Sequence, residues 1–537
     1  MFGRLRVIVM SVLLVAGAAV AAPAVTTEPA GAGELPVPIV FVHGFSGSGG
    51  QYETAAKRFA SNGFPADRIR AFEYGATPSS ALDAFIDGVR AEFGVDKVNV
   101  AAHSLGTSVM ASYLNNATRA AKVAKYVALD GFPGCGTGVD CISIAAAPLT
   151  QSHVEVVSSP ESFARQYEHF LGVPPATTDI VPEADPQVAG RAVNFPANSG
   201  TDGATLEVWE VDAATGARTT AEPAAEFDIG ADGNWGPVGV DGDAYYEFKL
   251  ERPGINDLHY YFQPFLRSDF LVRLNAAPPG SGSVLNTNRS DQHTAAVVIR
   301  YREWWSTHSS GRNDILQIST TSASQGDEPP KHILANVTTN SVIGIHVHDD
   351  AATPGQTTLN LLPYFPTQPF QTGVDVFMPA AGPPDGVVSF VNAPRGDTSR
   401  LQVINVPNWQ SSTEGAVIVQ FNDYVQSADA AGYIARFTAR TCATLANIAA
   451  AGGHGSTEAL LQVAVDALRQ VAEAGGAVPV AIPPANDGPC RILIVWPLEE
   501  AESIQDAASA WGITPDQLHH VAGRLILLLV YLQAHAP

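Results

Sequence analysis

From residue 36 to about residue 172, short apolar runs alternate with segments of helical periodicity. The apolar runs are VPIVFV, IRAFEY, KVNVAA, KYVALD, CISIAA and HVEVV. Four segments have helical patterns. Two lie near residues 50–61 and 80–93, a third begins directly after Ser104, and the fourth is SPESFARQYEHFLG. Apolar strands that alternate with helices are typical of a mostly parallel sheet covered on both faces. The pattern therefore predicts an α/β domain over residues 36–175.

After GVPPATTDIVPEADP the pattern changes to one typical of β structure. Residues 176–425 are rich in Gly, Pro, Thr and Val, and apolar positions recur with period two in TLEVWEV, AYYEFKL, AAVVIRYREW and GAVIVQF. This pattern predicts a mainly antiparallel β-sandwich or β-barrel domain, long enough to comprise two β subdomains.

Helical periodicity returns beyond residue 425, in AAGYIARFTARTCATLANIAA and TEALLQVAVDALRQVAEAGG. A last helix is predicted where Thr514, Pro515 and Gln517 have the spacing of a capping box. Its apolar run LILLLVYL is too short to span a membrane, because about 20 residues are needed. Residues 426–537 are thus predicted to form a helical C-terminal region.

The N-terminus has the pattern of an export signal. Arg4 and Arg6 precede an apolar run from Val7 to about Val20, and the small residues of AVAAPA suit cleavage near residues 21–24. No cysteine lies near this run to take a lipid, and the run is too short for a membrane anchor. We therefore predict a signal peptide over residues 1–24 and a secreted protein without a transmembrane helix in its mature chain.

Export also bears on the four cysteines, because disulfides persist in oxidising compartments. The cysteines fall into two local pairs, Cys135 with Cys141 and Cys442 with Cys490. A metal site would need closer grouping of Cys and His. Each pair is therefore predicted to form a disulfide.

The charge of the chain argues against two classes of partner. The chain has 30 Lys and Arg against 53 Asp and Glu, which gives a net charge of −23. This balance offers little to neutralise a row of phosphates, so no nucleic-acid partner is expected. It equally disfavours adsorption to an anionic membrane by charge.

The stretch AAHSLG carries the strongest candidate for chemistry. Ser104 lies between an apolar strand and a helix, with Ala102 two positions before it and Gly106 two positions after it. A sharp strand-to-helix turn brings these two positions close together, so both must be small, and it exposes the serine hydroxyl as a nucleophile. A tight turn without catalytic function explains the same pattern, so residues elsewhere must distinguish the two.

Residues that would complete an acyl-transfer site lie at other strand ends. HGF follows the first apolar run, where the N–H of Phe45 would form an oxyanion hole together with that of Leu105. Asp130 ends KYVALD and His153 precedes the last helix, which is the chain order of acid and base in α/β-hydrolases. Asp140, at the start of the next strand, is the competing acid.

Five further residues are predicted to support the turn and the oxyanion loop without reacting. Two are histidines next to the proposed nucleophile and oxyanion donors, and three are small residues where the backbone passes closely. These residues are His43, Gly44, Ala102, His103 and Gly106.

Several long runs of the chain carry a family resemblance. They are IVFVHGFSGSGGQYETAAKRFASNGFPADRIRAFEY, AHSLGTSVMASYLNNATRAAKVAKYVALDG, SHVEVVSSPESF, PPATTDIVPE and YYEFKLERPGINDLHYYFQPFLRSDFLVR. Over about residues 36–424 the chain resembles the archaeal two-domain long-chain lipase family. The resemblance implies an α/β-hydrolase domain followed by a β-barrel domain that binds long acyl chains. It also implies Ser104 as nucleophile, Asp130 as acid and His153 as base, with the oxyanion donors at Phe45 and Leu105.

The chain departs from the family pattern in three places. Ala102 stands where the family has the first glycine of its motif, and alanine is still small. Between FEY and KVNV about 22 residues stand where the family has a long helical lid. The lid is therefore expected to be absent or minimal and the site open. The region from residue 426 lies outside the resemblance.

Two other groups of residues have simpler explanations than ligand binding. IGIHVHDD places His346 and His348 on one face of a strand beside Asp349 and Asp350, but it offers no third clear metal ligand. The aromatic residues of HYYFQPF are typical of a β core, and contact with lipid is favoured mostly by the resemblance. We therefore predict no metal and no other cofactor.

Together these features predict a secreted serine hydrolase, of the lipase or carboxylesterase type, that cleaves carboxylic esters of fatty acids through an acyl-enzyme on Ser104. Its expected partner is a lipid or small ester, with at most transient contact with a lipid surface and no stable protein partner. A polyester depolymerase or an acyltransferase with the same triad is the alternative among enzymes. A non-catalytic cell-envelope-binding protein on a hydrolase scaffold is the alternative outside enzymes.

Overall fold

Five parallel strands form the sheet on which the first part of the chain is built. Their order is β2-β1-β3-β4-β5, and all neighbours pair in parallel. The strands are β1 (Ile39–Val42), β2 (Ile69–Phe72), β3 (Val98–His103), β4 (Val123–Leu129) and β5 (Asp140–Ile144).

Helices cover both faces of this sheet, because side chains alternate between the faces along each strand. Phe41 and Val127 pack with one group of helices, and Val40 and Val100 pack with the other. The predicted α/β-hydrolase type of fold is confirmed. The first group is α1 (Glu53–Ser61) and α5 (Pro160–Leu171), and the second is α2 (Ala81–Phe93), α3 (Leu105–Leu114) and α4 (Ala117–Ala120).

The computed structural model describes residues 35–75, 81–132, 138–276, 289–305, 313–336, 342–363, 365, 369–396 and 401–424. The predicted signal peptide and the predicted C-terminal helices lie outside these residues. Within them, no helix is long and apolar enough to cross a membrane.

The sixth apolar run, HVEVV, forms no strand, so the strand predicted there is wrong. Glu155–Val157 form a short 3-10 helix, and the N–H groups of Val154 and Glu155 bond to the side chain of Glu303. Val156 and Val157 are buried in the core beside α1 and α5. Burial, and not pairing in the sheet, explains the apolar pattern.

The β-rich region runs from Gln187 to Gln420 in the part of the chain that the structure describes. It also contains the short helix α6 (Ser411–Glu414). Its strands are β6 (Gln187–Asn194), β7 (Ser199–Gly200), β8 (Thr205–Val211), β9 (Ala225–Asp228), β10 (Asn234–Gly239), β11 (Tyr245–Glu251), β12 (Leu258–Phe262), β13 (Asp269–Ala276), β14 (Ala295–Ile299), β15 (Ile315–Thr320), β16 (Glu328–His332), β17 (Gly344–His348), β18 (Gln371–Asp375), β19 (Val387–Ala393), β20 (Gln402–Pro407) and β21 (Ala416–Gln420).

These strands form three sheets, and most neighbouring strands are antiparallel as predicted. The first sheet has the order β10-β6-β13 with β7 beside β6, the second β18-β17-β14-β21-β12-β11-β8-β9, and the third β16-β15-β19-β20. Four pairs are parallel: β6 with β13, β12 with β21, β14 with β21, and β17 with β18. Parallel partners need long connections between them, which period-two alternation does not encode.

The eight-stranded sheet packs against both smaller sheets and buries both of its faces. Val297 of β14 lies in one core with Trp235 of the first sheet, whereas its neighbour Val298 lies in a second core with Phe390 of the third. The described residues from Val37 onward belong to one compact unit. The boundary near residue 175 stays a prediction.

Candidate active site

Ser104 occupies the sharp turn between β3 and α3, at the carboxyl end of the central strand. Its φ is 51° and its ψ is −119°, a strained conformation for a residue with a side chain. A Cβ on Gly106 would lie 2.5 Å from the Val42 carbonyl oxygen, and a Cβ on Gly44 would lie 3.0 Å from the Ser104 Cβ. The turn therefore requires glycine at position 106 and leaves little room for a side chain at position 44.

Ser104, His153 and Asp130 are joined by hydrogen bonds. His153 Nε2 lies 2.9 Å from Ser104 Oγ, and His153 Nδ1 donates to Asp130 Oδ2 at 2.6 Å. The other carboxylate oxygen of Asp130 accepts the Ala146 N–H at 2.9 Å. Burial alone would raise the pKa of the Asp130 carboxyl, but the Ala146 N–H and the imidazole hold this pKa below its ordinary value. An ionised Asp130 thus orients the ring toward the serine.

Asp140, the competing acid, lies near the opposite end of the sheet. It begins β5 beside Lys125 of β4, five residues before Asp130. At about 3.3 Å per strand residue, it lies roughly 15 Å along the strands from the end that carries Asp130. The structure brings Asp130, and not Asp140, to His153.

The predicted oxyanion donors, the N–H groups of Phe45 and Leu105, belong to residues that directly follow Gly44 and Ser104. Leu105 is the first residue of α3, where a helix leaves its N–H without an internal partner and its dipole favours negative charge. Phe45 follows Gly44, which is packed against Ser104. Neither N–H has a hydrogen-bond acceptor among the residues that the structure describes.

His103 and His43 are buried close to Ser104 and His153, and both bond to the backbone of neighbouring loops. His103 Nε2 donates to the His153 carbonyl oxygen at 2.8 Å, and its Nδ1 accepts from the Gln51 amide at 3.2 Å. Burial lowers the pKa of His103 to about 3, so this ring is neutral. His43 Nδ1 donates to the Gly44 carbonyl oxygen at 2.7 Å, and burial lowers the pKa of His43 as well.

A cavity of about 440 Å³ is lined by Ser104 and His153 on one side and by the β-rich region on the other. Its volume lies in the range of ligand-binding cavities. The site, expected to be open, therefore has a wall formed by residues far along the chain. Much of this wall is apolar and consists of Phe195, Val297, Ile299, Ile343, Phe370 and Ile418.

Sequence patterns do not identify the residues of the β-rich region that line the cavity. They come from several separate strands and loops, so they form no single local motif. Their only signal is the apolar alternation of each strand, which every core position shares. Polar residues line the same region, among them Asn275, Gln371 and Gln420.

His346 and His348 lie on β17, where both are buried. His346 Nε2 donates to Gln371 Oε1 at 2.9 Å, and its ring stacks on Phe365 with 4.6 Å between centroids. Burial lowers the pKa of His346 to about 4. Within the described ranges, no group of three or more His, Cys, Asp or Glu side chains is arranged to hold a metal ion.

The aromatic run HYYFQPF belongs to the β core, with one residue at the cavity. All residues of β12 are buried. Tyr260 lines the cavity, and its hydroxyl donates to the Asn275 carbonyl oxygen at 2.9 Å.

Cys141 is disulfide-bonded. Its predicted partner Cys135 lies outside the described residues, and so do Cys442 and Cys490. Both pairings therefore stay predictions.

Three family models match successive parts of the chain. The lipase (class 2) model matches residues 36–120 and the lipase C-terminal domain model matches residues 184–279. A third model, described as a C-terminal domain, matches residues 283–425. Together they support an ester hydrolase of the lipase type with an additional C-terminal domain.

Two solved structures are similar to the chain at low sequence identity. An extracellular α/β-hydrolase from a Paenibacillus species is 17% identical with a TM-score of 0.14, and the match covers 18% of this chain and 41% of that one. The Bacillus licheniformis lipase BlEst2 in its propeptide form is 10% identical with a TM-score of 0.21, and the match covers 70% of this chain and 93% of that one. No curated protein matches the sequence.

Proposed function

We propose that this chain is a secreted serine hydrolase that cleaves carboxylic esters of fatty acids through an acyl-enzyme on Ser104. The observation that carries the proposal is the series of hydrogen bonds from Ser104 through His153 to Asp130, with separations of 2.9 and 2.6 Å. The lipase (class 2) match over residues 36–120 supports it. The narrower assignment, to a type like the archaeal two-domain long-chain lipases, rests on the sequence resemblance.

The proposed reaction has two halves that use the same groups. His153 takes the Ser104 proton as Oγ attacks the ester carbonyl, and Asp130 stabilises the imidazolium that forms. The N–H groups of Phe45 and Leu105 bind the oxyanion, and His153 then gives its proton to the leaving alcohol. In the second half, His153 takes a proton from water as the water oxygen attacks the acyl carbon. The bond to Ser104 Oγ then breaks, His153 returns the proton to Oγ, and the fatty acid is released.

In this proposal residues 36–175 carry the catalytic groups and residues 176–425 hold the acyl chain. The apolar wall of the cavity supports this division, because burial of methylene groups favours binding by about 0.8 kcal/mol each. A walled cavity also favours esters with a single chain over the flat face of a polyester. A fatty-acid ester is therefore the preferred substrate class.

The first test is hydrolysis of p-nitrophenyl esters of increasing acyl length by the mature protein and by Ser104→Ala. We expect the variant to lose activity by about three orders of magnitude or more, because the acyl-enzyme cannot form. Ser108→Ala, at an exposed position in the same helix, is the matched control and should keep full activity. Full activity in Ser104→Ala would show that Ser104 is not the nucleophile.

Labelling with a fluorophosphonate separates the proposal from its alternatives. A wild-type chain that neither hydrolyses esters nor reacts with the probe would favour a non-catalytic envelope-binding protein. A labelled chain that transfers the acyl group to an added alcohol in preference to water would favour an acyltransferase. Release of acid from a solid polyester faster than from soluble esters would favour a depolymerase.

A further inference from the structure

The loop that carries His153 is held by one buried carboxylate from the β-rich region. Glu303 is 1% exposed and lies shortly after β14. Its Oε1 accepts the Val154 N–H at 2.7 Å, and its Oε2 accepts the Ser152 hydroxyl at 2.6 Å and the Glu155 N–H at 3.1 Å. Residues on both sides of His153 are thus bound to a single side chain.

We propose that Glu303 is a positioning residue, which fixes the His153 loop so that the imidazole stays within reach of Ser104. The proposal rests on the proposed function, in which His153 is the base. Glu303 acts through the backbone next to His153 and not on the reacting atoms.

The His153 loop depends on such an anchor because it has little regular structure of its own. It lies between two short 3-10 helices, Ala147–Leu149 and Glu155–Val157. The bonds to Glu303 take the place of the strand pairing that positions Ser104 and Asp130. Displacement of a catalytic group by about 1 Å can lower a rate about 100-fold, so the hold on this loop bears directly on turnover.

The backbone of the turn that carries Glu303 is itself fixed by hydrogen bonds. Arg300 Nη2 donates to the Glu303 carbonyl oxygen at 2.7 Å, and the same guanidinium forms a buried ion pair with Asp314. Asp314 also accepts the Trp305 N–H at 2.8 Å. The carboxylate is therefore presented by a turn whose own backbone is fixed.

A second contact from the β-rich region reaches the same loop. Arg395 Nη2 donates to both carboxylate oxygens of Glu155, at 2.5 and 2.6 Å. Glu155 Oε2 in turn accepts the Ser152 N–H at 3.2 Å. Two charged groups from separate segments thus converge on the residues around His153.

Three donors converge on Glu303, and a carboxylate accepts all of them. Glutamine has nearly the same shape, but its amide NH₂ is a donor and would face at least one of the N–H or O–H donors of the loop. Glu303→Gln therefore forces the loop to shift or to lose a bond.

The test compares Glu303→Gln with Glu247→Gln in the full-length chain. Glu247 is a fully buried carboxylate of β11, and its bonds go to Arg218 and His259 instead. We expect Glu303→Gln to lower kcat for a p-nitrophenyl ester about 10- to 100-fold with KM changed less than about threefold. Glu247→Gln should keep kcat within about threefold of wild type even where it lowers Tm. Equal kcat values in the two variants would overturn the proposal.

A double variant with Asp130→Asn separates positioning from general loss of stability. Both changes disturb the orientation of one imidazole, so kcat of the double variant should lie within about threefold of Asp130→Asn alone. If the two losses multiply, Glu303 acts independently of His153 and the proposal fails.

Three further outcomes of the experiment also decide between these explanations. If Glu303→Gln does not fold, Glu303→Asp replaces it, since aspartate keeps the charge and is one methylene shorter; unchanged kcat in that folded variant would equally overturn the proposal. A wild-type chain without esterase activity would refute the proposed function itself. An active wild type with an unaffected Glu303→Gln would refute only the role of Glu303.

Discussion

Gly106 is the residue whose lack of a side chain makes the turn at Ser104 possible. An alanine Cβ there would lie 2.5 Å from the Val42 carbonyl oxygen and 2.6 Å from the His43 carbonyl oxygen. Both are backbone atoms at the end of β1 that cannot rotate away. We therefore expect Gly106→Ala to lower the free energy of unfolding by about 1–3 kcal/mol and to lower esterase activity, because α3 must move away from β1.

Gly88→Ala is the matched control for this prediction. Gly88 lies inside α2, and no described atom lies within 4 Å of a Cβ built there. Alanine favours a helix over glycine, so this variant should gain about 0.5–1 kcal/mol. Urea denaturation measures both changes. A Gly106→Ala variant as stable as wild type would contradict the close approach.

The assignment of Asp130 as the acid of the proposed triad can be tested by a pair of isosteric changes. Asp130→Asn should lower kcat at pH 7 about 100- to 10,000-fold, because the amide cannot stabilise the imidazolium and favours the wrong tautomer of His153. Asp140→Asn should leave kcat unchanged, since Asp140 begins β5, at the end of the sheet opposite to Asp130. Steady-state kinetics on a soluble ester measures both, and the reverse pattern would assign the acid to Asp140.

Among individual residues, some members of the candidate site can be predicted from the sequence and others cannot. Ser104, Asp130 and His153 could be singled out because each lies at or near the end of an apolar run in a known chain order. Glu303 could not, because its partner Val154 lies 149 residues away and RYREWW contains no pattern that links the two. Its role depends on a contact that exists only in the folded chain.

Among the elements, helix ends are predictable because their signals are local. The Ser159 hydroxyl accepts the Ser162 N–H at 3.2 Å, with Pro160 as first residue of α5, as the sequence indicates. Strand partners are different, because β14 and β21 are buried on both faces and read as AAVVI and AVIVQ. Such runs predict a strand but not which neighbour it pairs with.

The strands β11 and β12 carry a buried ion pair that makes stability depend on pH. His259 Nδ1 donates to Glu247 Oε1 at 2.5 Å, and its Nε2 donates to Glu414 at 3.1 Å. Burial alone would lower the pKa of His259, but the two carboxylates raise it to about 9. Unfolded histidine has a pKa of about 6.5, so the stabilisation is fully present below about pH 6.5 and is lost as the pH rises through 9.

We therefore expect Tm to fall between pH 6.5 and 9, with a loss on the order of 3 kcal/mol from this group. His259→Gln cannot carry the charge, so its Tm should change much less over the same range. Thermal unfolding of both proteins at several pH values measures the difference. Parallel curves for the two would show that another group causes the pH dependence.

At the scale of the whole molecule, the α/β part of the chain and the β-rich region share buried polar contacts. Asp423, after the last described strand, accepts the Ser158 hydroxyl at 2.8 Å and also accepts that of Thr54 in α1. The order of the eight-stranded sheet could not be predicted, because β21 pairs with β12 and β14, which precede it by more than a hundred residues. The cavity beside Ser104 is therefore lined by strands that only the folded chain brings together.

The central place of β21 has a consequence for the time at which the protein becomes active. Synthesis proceeds from the N-terminus, so Ser104, Asp130 and His153 are made long before the strand that completes the eight-stranded sheet. Contacts between residues so distant in the chain form slowly, because long loops must close first. Glu303 follows β14, which is a neighbour of β21 in this sheet, so we expect its bonds to the His153 loop to form late in folding. Under the proposed function, we therefore expect ester cleavage to begin only once β21 has paired with β12 and β14.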